Sequence, residues 1–178
     1  MLFVKQSQLR SHPALRYALA ESTRSIPAAR AEGRTTIFLS HSHEDRALAL
    51  GLKAALRDQD LSLYIDWEDS AMPSQTNEET ARRIQTKIRE CHLFLFLATQ
   101  NSLPSRWCPW EIGYADATKT KCGVVIVPTV DDNGDHHGNE YLLLYNYLEL
   151  SPLAEKYHVI AAYHPGGILL ERYAASVR

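Results

Sequence analysis

Leu93-Phe94-Leu95-Phe96-Leu97 is an unbroken apolar run which, with Ala98, is bounded by the polar His92 and Thr99. A run this short has the length of a strand rather than a helix. Side chains on a strand alternate between its two faces, so both faces of this one must be covered. Thr35-Thr36-Ile37-Phe38-Leu39, Leu61-Ser62-Leu63-Tyr64-Ile65 and Val124-Val125-Ile126-Val127 read as further strands, and Tyr147-Leu148-Glu149-Leu150 as a weaker fifth. Helical patterns lie between them. Leu48, Leu52, Ala55 and Leu56 share one face. Thr80, Ile84, Ile88 and Cys91 mark a second helix, with Arg82, Arg83, Lys87 and Arg89 on its other faces. A third helix opens at Ser105, and Leu170, Tyr173, Ala174 and Val177 mark a terminal one after Gly166-Gly167. Strands covered on both faces and alternating with helices specify a parallel sheet in an α/β domain.

The 178 residues are enough for one domain with a real core. Residues 1–33 read as an N-terminal helical extension and linker, and 34–178 as the domain. In the extension, Leu9, Leu15, Ala18 and Leu19 form a helical stripe whose start is limited by Pro13; residues 28–33 then read as a linker ending in the breaker Gly33. A net charge of −2 gives no reason to expect nucleic-acid binding. Cys91, Cys108 and Cys122 are far apart and form no CxxC pair, which argues against a zinc site or a disulfide framework and fits a reducing cytoplasm. The N-terminus lacks the apolar stretch of a signal peptide, and no run approaches the length of a membrane span.

Open parallel sheets bind ligands beyond the carboxyl ends of their strands, at a switch in strand order. The residues expected there are polar: Ser40-His41-Ser42-His43-Glu44-Asp45 after the first strand, Asp66-Trp67-Glu68-Asp69 after the second, and Thr99-Gln100-Asn101-Ser102 after the third. Ser105 can cap the following helix, and Pro109 falls in its first turn. Trp107 and Glu111 are then one turn apart, beside the Cys108, Ile112 and Ala115 stripe that faces the sheet. A flat aromatic paired with a carboxylate suits a site that stacks a ring and steadies a developing positive charge. Each residue also has a plainer role. Ser42, or Glu44-Asp45, can cap a helix. His41 and His43 read as loop donors rather than metal ligands, since no further ligand spacing supports a metal. Asp66 and Glu68 can simply be solvated, as can His136-His137 in the turn-rich 131–138 loop. Trp67 and Trp110 are compatible with core, cover or interface.

Three segments carry a family resemblance. Thr36-Ile37-Phe38-Leu39-Ser40-His41-Ser42-His43-Glu44-Asp45 resembles the first box of TIR (Toll/interleukin-1 receptor) domains. Leu63-Tyr64-Ile65-Asp66-Trp67-Glu68 is similar to the family's second strand running into its BB loop. Ser105-Arg106-Trp107-Cys108-Pro109-Trp110-Glu111-Ile112 resembles its Ser-x-Trp-Cys-x-x-Glu-Leu segment. The likeness covers residues 35 to about 150. Two departures stand out: Ser70-Ala71-Met72-Pro73-Ser74-Gln75 has proline but no glycine in the BB loop, and a His-His-bearing insertion occupies 131–139.

The resemblance implies a flavodoxin-like three-layer domain with a five-stranded parallel sheet. It implies an enzyme cleaving the nicotinamide–ribose bond of NAD+, as glycohydrolase or cyclase, or alternatively a non-catalytic TIR–TIR interaction module or host-mimicking effector. By resemblance Glu111 is catalytic, Trp107 is on the substrate side, and Ser40, His41, Ser42, Asp66 and Glu68 contact substrate. NAD+ is substrate rather than cofactor, and no metal is required. The absence of an attached sensor resembles the TIR component of Thoeris anti-phage systems, which implies self-association, a phage-derived trigger, and a downstream effector reached through a nucleotide signal. No nucleic-acid or membrane partner is expected.

Overall fold

A computed structural model describes residues 3–20, 25–56, 61–73, 75–150, 157–160 and 167–177; Ser74 and Gly166, named above, lie outside them. In chain order the elements are β1 (Val4–Lys5), α1 (Gln6–Arg10), α2 (Leu15–Ala20), α3 (Ile26–Ala31), β2 (Thr35–Ser40), α4 (Arg46–Leu56) and β3 (Leu61–Tyr64). Then come α5 (Glu78–Glu90), β4 (Leu93–Ala98), α6 (Cys108–Thr118), β5 (Val124–Val130), β6 (His136–His137), β7 (Asn146–Leu150), β8 (Tyr157–Ile160), β9 (Gly167–Leu169) and α7 (Leu170–Ser176).

Strand alternation builds three layers. Ile37, Leu39, Leu93, Leu95, Leu97, Val125 and Val127 point to one face, where they pack with Leu48, Ala49, Leu52 and Leu56 of α4 and Leu170, Tyr173 and Ala174 of α7. Their chain neighbours Phe38, Phe94, Phe96, Ala98, Val124 and Ile126 point to the other face, against Ile84 and Ile88 of α5 and Cys108, Ile112 and Ala115 of α6. Both faces are buried, which is why β4 is apolar at every position.

The strands β3, β2, β4, β5 and β7 run parallel in that order. Numbered by their succession in the chain, this is the doubly wound order 2-1-3-4-5 of flavodoxin-like sheets. The sheet is larger than the expected five strands. β8 and β9 extend it antiparallel beyond β7, with Leu148 opposite Val159 and Val159 opposite Ile168. β8 buries Tyr157 and Val159 and half-buries His158 and Ile160, so it reads as a one-sided strand in a stretch too short to stand out.

The N-terminal segment departs most from its reading as an extension and linker. β1 pairs in parallel with the end of β5, Val4 opposite Thr129. Val4 and Leu9 are buried in the core. The expected single stripe is split into α1 and α2, with Leu9 buried and Leu15 half-buried; the side chains of Ala18 and Leu19 lie outside what is described. The backbone of Leu9 lies so close to α4 that a Cβ on Gly51 would stand 2.1 Å from its carbonyl oxygen. Residues 26–31 form α3, whose Ile26 and Ala29 are buried. Gly33 does act as the breaker, turning the chain at φ +73° into β2.

Candidate active site

The chain order of the strands reverses between β2 and β4, and the polar residues gather at the carboxyl ends of these two. β2 ends at Ser40, which is buried. The loop after β4 leads into α6. There the Ser105 hydroxyl accepts the backbone N–H groups of Trp107 (3.3 Å) and Cys108 (3.4 Å), and Pro109 sits in the first turn without leaving a donor unsatisfied. The Glu111 N–H reaches the Trp107 carbonyl at 2.8 Å, closing the turn that sets the two side chains on one face.

Glu111 was expected at the rim of the core. It is instead buried, 4% exposed, alongside Cys108, Ile112 and Ala115. The Ser40 hydroxyl donates to its Oε2 at 2.6 Å. Burial pushes the Glu111 carboxyl up to about 8; the Ser40 hydrogen bond opposes this, and the nearby Asp66 carboxylate adds to it. No cationic side chain pairs with Glu111 among the described residues. A buried carboxylate with one hydroxyl partner and no counter-ion is costly to ionise until a positive charge comes beside it.

Glu111 opens onto a cleft of about 670 Å³. One wall comes from the β2 loop with His41, Ser42, His43 and Glu44. The second comes from Asp66, Trp67, Thr76, Thr80 and Ile84. The third runs through Asn101 and Pro104 to Ser105, Arg106 and Trp107. His41 is fixed at both nitrogens: Nε2 lies 2.8 Å from the Trp67 indole nitrogen and Nδ1 lies 3.2 Å from the Leu39 carbonyl. The indole N–H can only donate, so the partners assign His41 the tautomer with hydrogen on Nδ1. Trp67 lies under the Arg46 guanidinium, 5.0 Å from the ring centroid. Trp107 packs edge-on against Trp110 (5.3 Å), which stacks on Tyr114 (6.1 Å), so Trp110 is cover on the outside of α6.

Trp107, His41, Ser42 and Asp66 thus line the cleft, and Ser40 reaches it through Glu111. Glu68 does not line it. It turns back to Lys53, with Nζ–Oε2 2.9 Å, because α4 offers a cation on that side. Ser42 caps the short turn His43–Asp45 by accepting the Glu44 N–H. The adjacent Asp45 has a different task, which sequence reasoning missed. Buried, it accepts from Thr99 Oγ1 (2.5 Å) and Asn101 Nδ2 (2.7 Å), tying the β2 loop to the β4 loop. Gln6 was missed too. Its Nε2 donates to Gln100 Oε1 at 2.8 Å and to Thr129 Oγ1 at 3.1 Å, bracing the β4 loop from outside. The acidic pair after Ser42 was a signal for the first; nothing in the sequence singled out the second.

The BB-loop segment is braced without a glycine. Tyr64 donates to Asp69 at 2.7 Å, Asp69 accepts the Ala71 N–H, and Arg83 donates to the Ala71 carbonyl. The 131–139 insertion is a hairpin off β5 whose residues do not line the cleft. His137 pairs with Asp131 at 2.8 Å, holding that carboxyl below its ordinary range, and His136 stacks on Phe3. Among the described residues no group of three or more His, Cys, Asp or Glu could hold a metal ion. No helix among them is long and apolar enough to cross a membrane.

Comparison with known families places the same segments together: residues 37–158 match the TIR domain. The chain belongs to the TIR domain family. The match begins within β2 and ends within β8, and so includes all three segments that wall the cleft and all of α6. Among curated relatives, the TIR chain is 38% identical over 114 residues to the "Probable 3' cyclic ADP-D-ribose synthase ThsB'" of Bacillus cereus (strain MSX-D12), covering 63% of this chain and 59% of that one. It is 28% identical over 82 residues to the "Putative cyclic ADP-D-ribose synthase TIR2" of Cytobacillus dafuensis, covering 44% of this chain and 22% of that one. The chain therefore spans less than two thirds of the length of either relative.

Proposed function

We propose that this TIR domain cleaves NAD+ at the bond between nicotinamide and ribose. The observation that carries the reading is the buried Glu111 at the switch point of the sheet, held by the Ser40 hydroxyl and without a counter-ion among the described residues. Such a carboxylate is a receptor for a cation, and the nicotinamide ribosyl group of NAD+ is one. Binding would bring positive charge beside Glu111 and favour its ionised form.

When the C1′–N bond breaks, the electron pair leaves with neutral nicotinamide and the ribose gains oxocarbenium character, as in glycoside cleavage. The carboxylate of Glu111 stabilises that charge, and Ser40 holds its orientation. Trp107 offers a ring platform on the same helix face. Water attacking C1′ would release a proton and leave linear ADP-ribose. A hydroxyl of the same molecule would release a proton and close a cyclic isomer. The names of both relatives favour the cyclic outcome for this chain as well. We place the activity in anti-phage signalling of the Thoeris type, with a self-associating TIR domain, a phage-derived trigger and an effector that reads the nucleotide product in the cytoplasm. NAD+ is the substrate in this reading, and no resident cofactor enters the chemistry.

Incubating the purified chain with NAD+ and identifying products by mass tests the reading. Release of nicotinamide together with an ADP-ribose species supports it. Intact NAD+ at high protein concentration, alongside stable partner binding, would favour an interaction module.

A further inference from the structure

Acidic groups crowd the cleft: Glu44, Asp66 and Glu111 all line it. A dinucleotide brings two more negative charges on its diphosphate, so something must offset them. The cations around the cleft are mostly engaged. Lys53 is held by Glu68, Arg83 by Glu79 and the Ala71 carbonyl, and Arg46 lies over the Trp67 ring. Three of the serine hydroxyls around the cleft are engaged as well, while Thr76 offers a neutral hydroxyl that offsets no charge. Ser40 donates to Glu111, the Ser105 oxygen takes two backbone N–H groups, and Ser42 accepts from Glu44 and keeps only its own proton to give.

Arg106 differs from these. It lines the cleft and is exposed, and no side chain, carbonyl or ring engages it among the described residues. It directly precedes Trp107 at the start of α6, so its backbone is set relative to both the ring platform and Glu111. We propose that Arg106 anchors the diphosphate of the dinucleotide; the inference rests on the NAD+ reading for the identity of that ligand. The guanidinium presents paired N–H donors that fit two phosphate oxygens. An anchor there fixes how far the nicotinamide ribose extends toward Glu111. It also makes the site select dinucleotides over nucleosides that carry the same ring.

The test compares wild type, Arg106→Gln and Arg106→Lys for binding of ADP-ribose and of adenosine by calorimetry at low and high salt. Steady-state NAD+ turnover is measured on the same samples. ADP-ribose affinity should fall about 10-fold or more in Arg106→Gln, with partial rescue in Arg106→Lys and a weaker salt dependence, since a charge-assisted contact is lost. Adenosine affinity should change less than about twofold, because it carries no phosphate. KM for NAD+ should rise more than kcat falls. Unchanged ADP-ribose affinity in Arg106→Gln, equal losses for ADP-ribose and adenosine, or no ADP-ribose binding by wild type would each overturn the anchor. Arg106-dependent ADP-ribose binding without NAD+ cleavage would sustain the anchor and remove the cleavage reading. NAD+ cleavage with a KM indifferent to Arg106 would do the reverse.

Discussion

The Ser40 hydroxyl lies 2.6 Å from Oε2 of Glu111, bridging the end of β2 and the first turn of α6. This contact joins the first TIR box to the Ser-x-Trp-Cys-x-x-Glu segment, and it favours the ionised form of the carboxyl against a strong effect of burial. In the free protein kcat/KM for NAD+ should rise with pH through about 8, where Glu111 loses its proton. Removing the hydroxyl leaves burial and Asp66 unopposed, so Ser40→Ala should move that rise to higher pH. A pH–rate profile of both proteins checks the shift; identical profiles would remove Ser40 from this role.

Glu111 also predicts a pH dependence of stability. Its carboxyl titrates near its ordinary value of 4.5 when unfolded and near 8 when folded. Below 4.5 both states are protonated and nothing is lost. Between the two values the unfolded chain has released a proton that the folded chain retains, so stability falls as pH rises, and above 8 the loss is complete. Its size is a few kcal/mol, at about 1.4 kcal/mol per pKa unit. Glu111→Gln keeps the shape, cannot ionise, and should be more stable than wild type at alkaline pH. Thermal melts across pH read the difference; parallel curves for the two proteins would contradict it.

Packing of α1 on α4 gives a third prediction. A methyl group at position 51 would meet the Leu9 carbonyl oxygen at 2.1 Å, which is backbone and cannot swing aside. Gly51→Ala should therefore cost about 1–3 kcal/mol. In a chain of this size that lowers Tm by roughly 2–4 °C per kcal/mol. An unchanged Tm would show that α1 is not seated on α4 as described.

The His41–Trp67 contact gives a fourth. Trp67→Phe removes the indole N–H that holds His41 Nε2 as an acceptor while keeping an aromatic ring in the cleft wall. Nitrogen chemical shifts of His41 should report a single Nδ1–H tautomer in wild type and a mixture in the variant. A mixture already present in wild type would show that the indole does not fix the ring.

Much of this geometry was legible in the chain. The parallel strands, buried on both faces, carry apolar runs that no other environment requires, and the four-residue spacing of Trp107 and Glu111 by itself puts them on one helix face. What escaped is set by contacts distant in sequence. Val4 and Leu9 enter the core only because β5 and Gly51 receive them, 125 and 42 residues further on by position. Glu68 leaves the cleft because Lys53 waits on the neighbouring helix. Asp45 looks like a cap until Thr99 and Asn101 arrive from another loop. The depth of Glu111 was missed for a related reason: amphipathic periodicity assigns a carboxylate to the rim, whereas the site holds it inside on the Ser40 hydroxyl, at a cost to stability.

The central claim is that Glu111 supports loss of nicotinamide from NAD+. The most direct measurement is the rate of nicotinamide release by wild type and by Glu111→Gln, both shown to be folded. The glutamine can keep the Ser40 hydrogen bond but carries no charge to offset a developing cation. The account predicts release by wild type and a loss of at least about 100-fold in the variant, the scale expected when a transition-state charge loses its partner. Release by Glu111→Gln at the wild-type rate would contradict it.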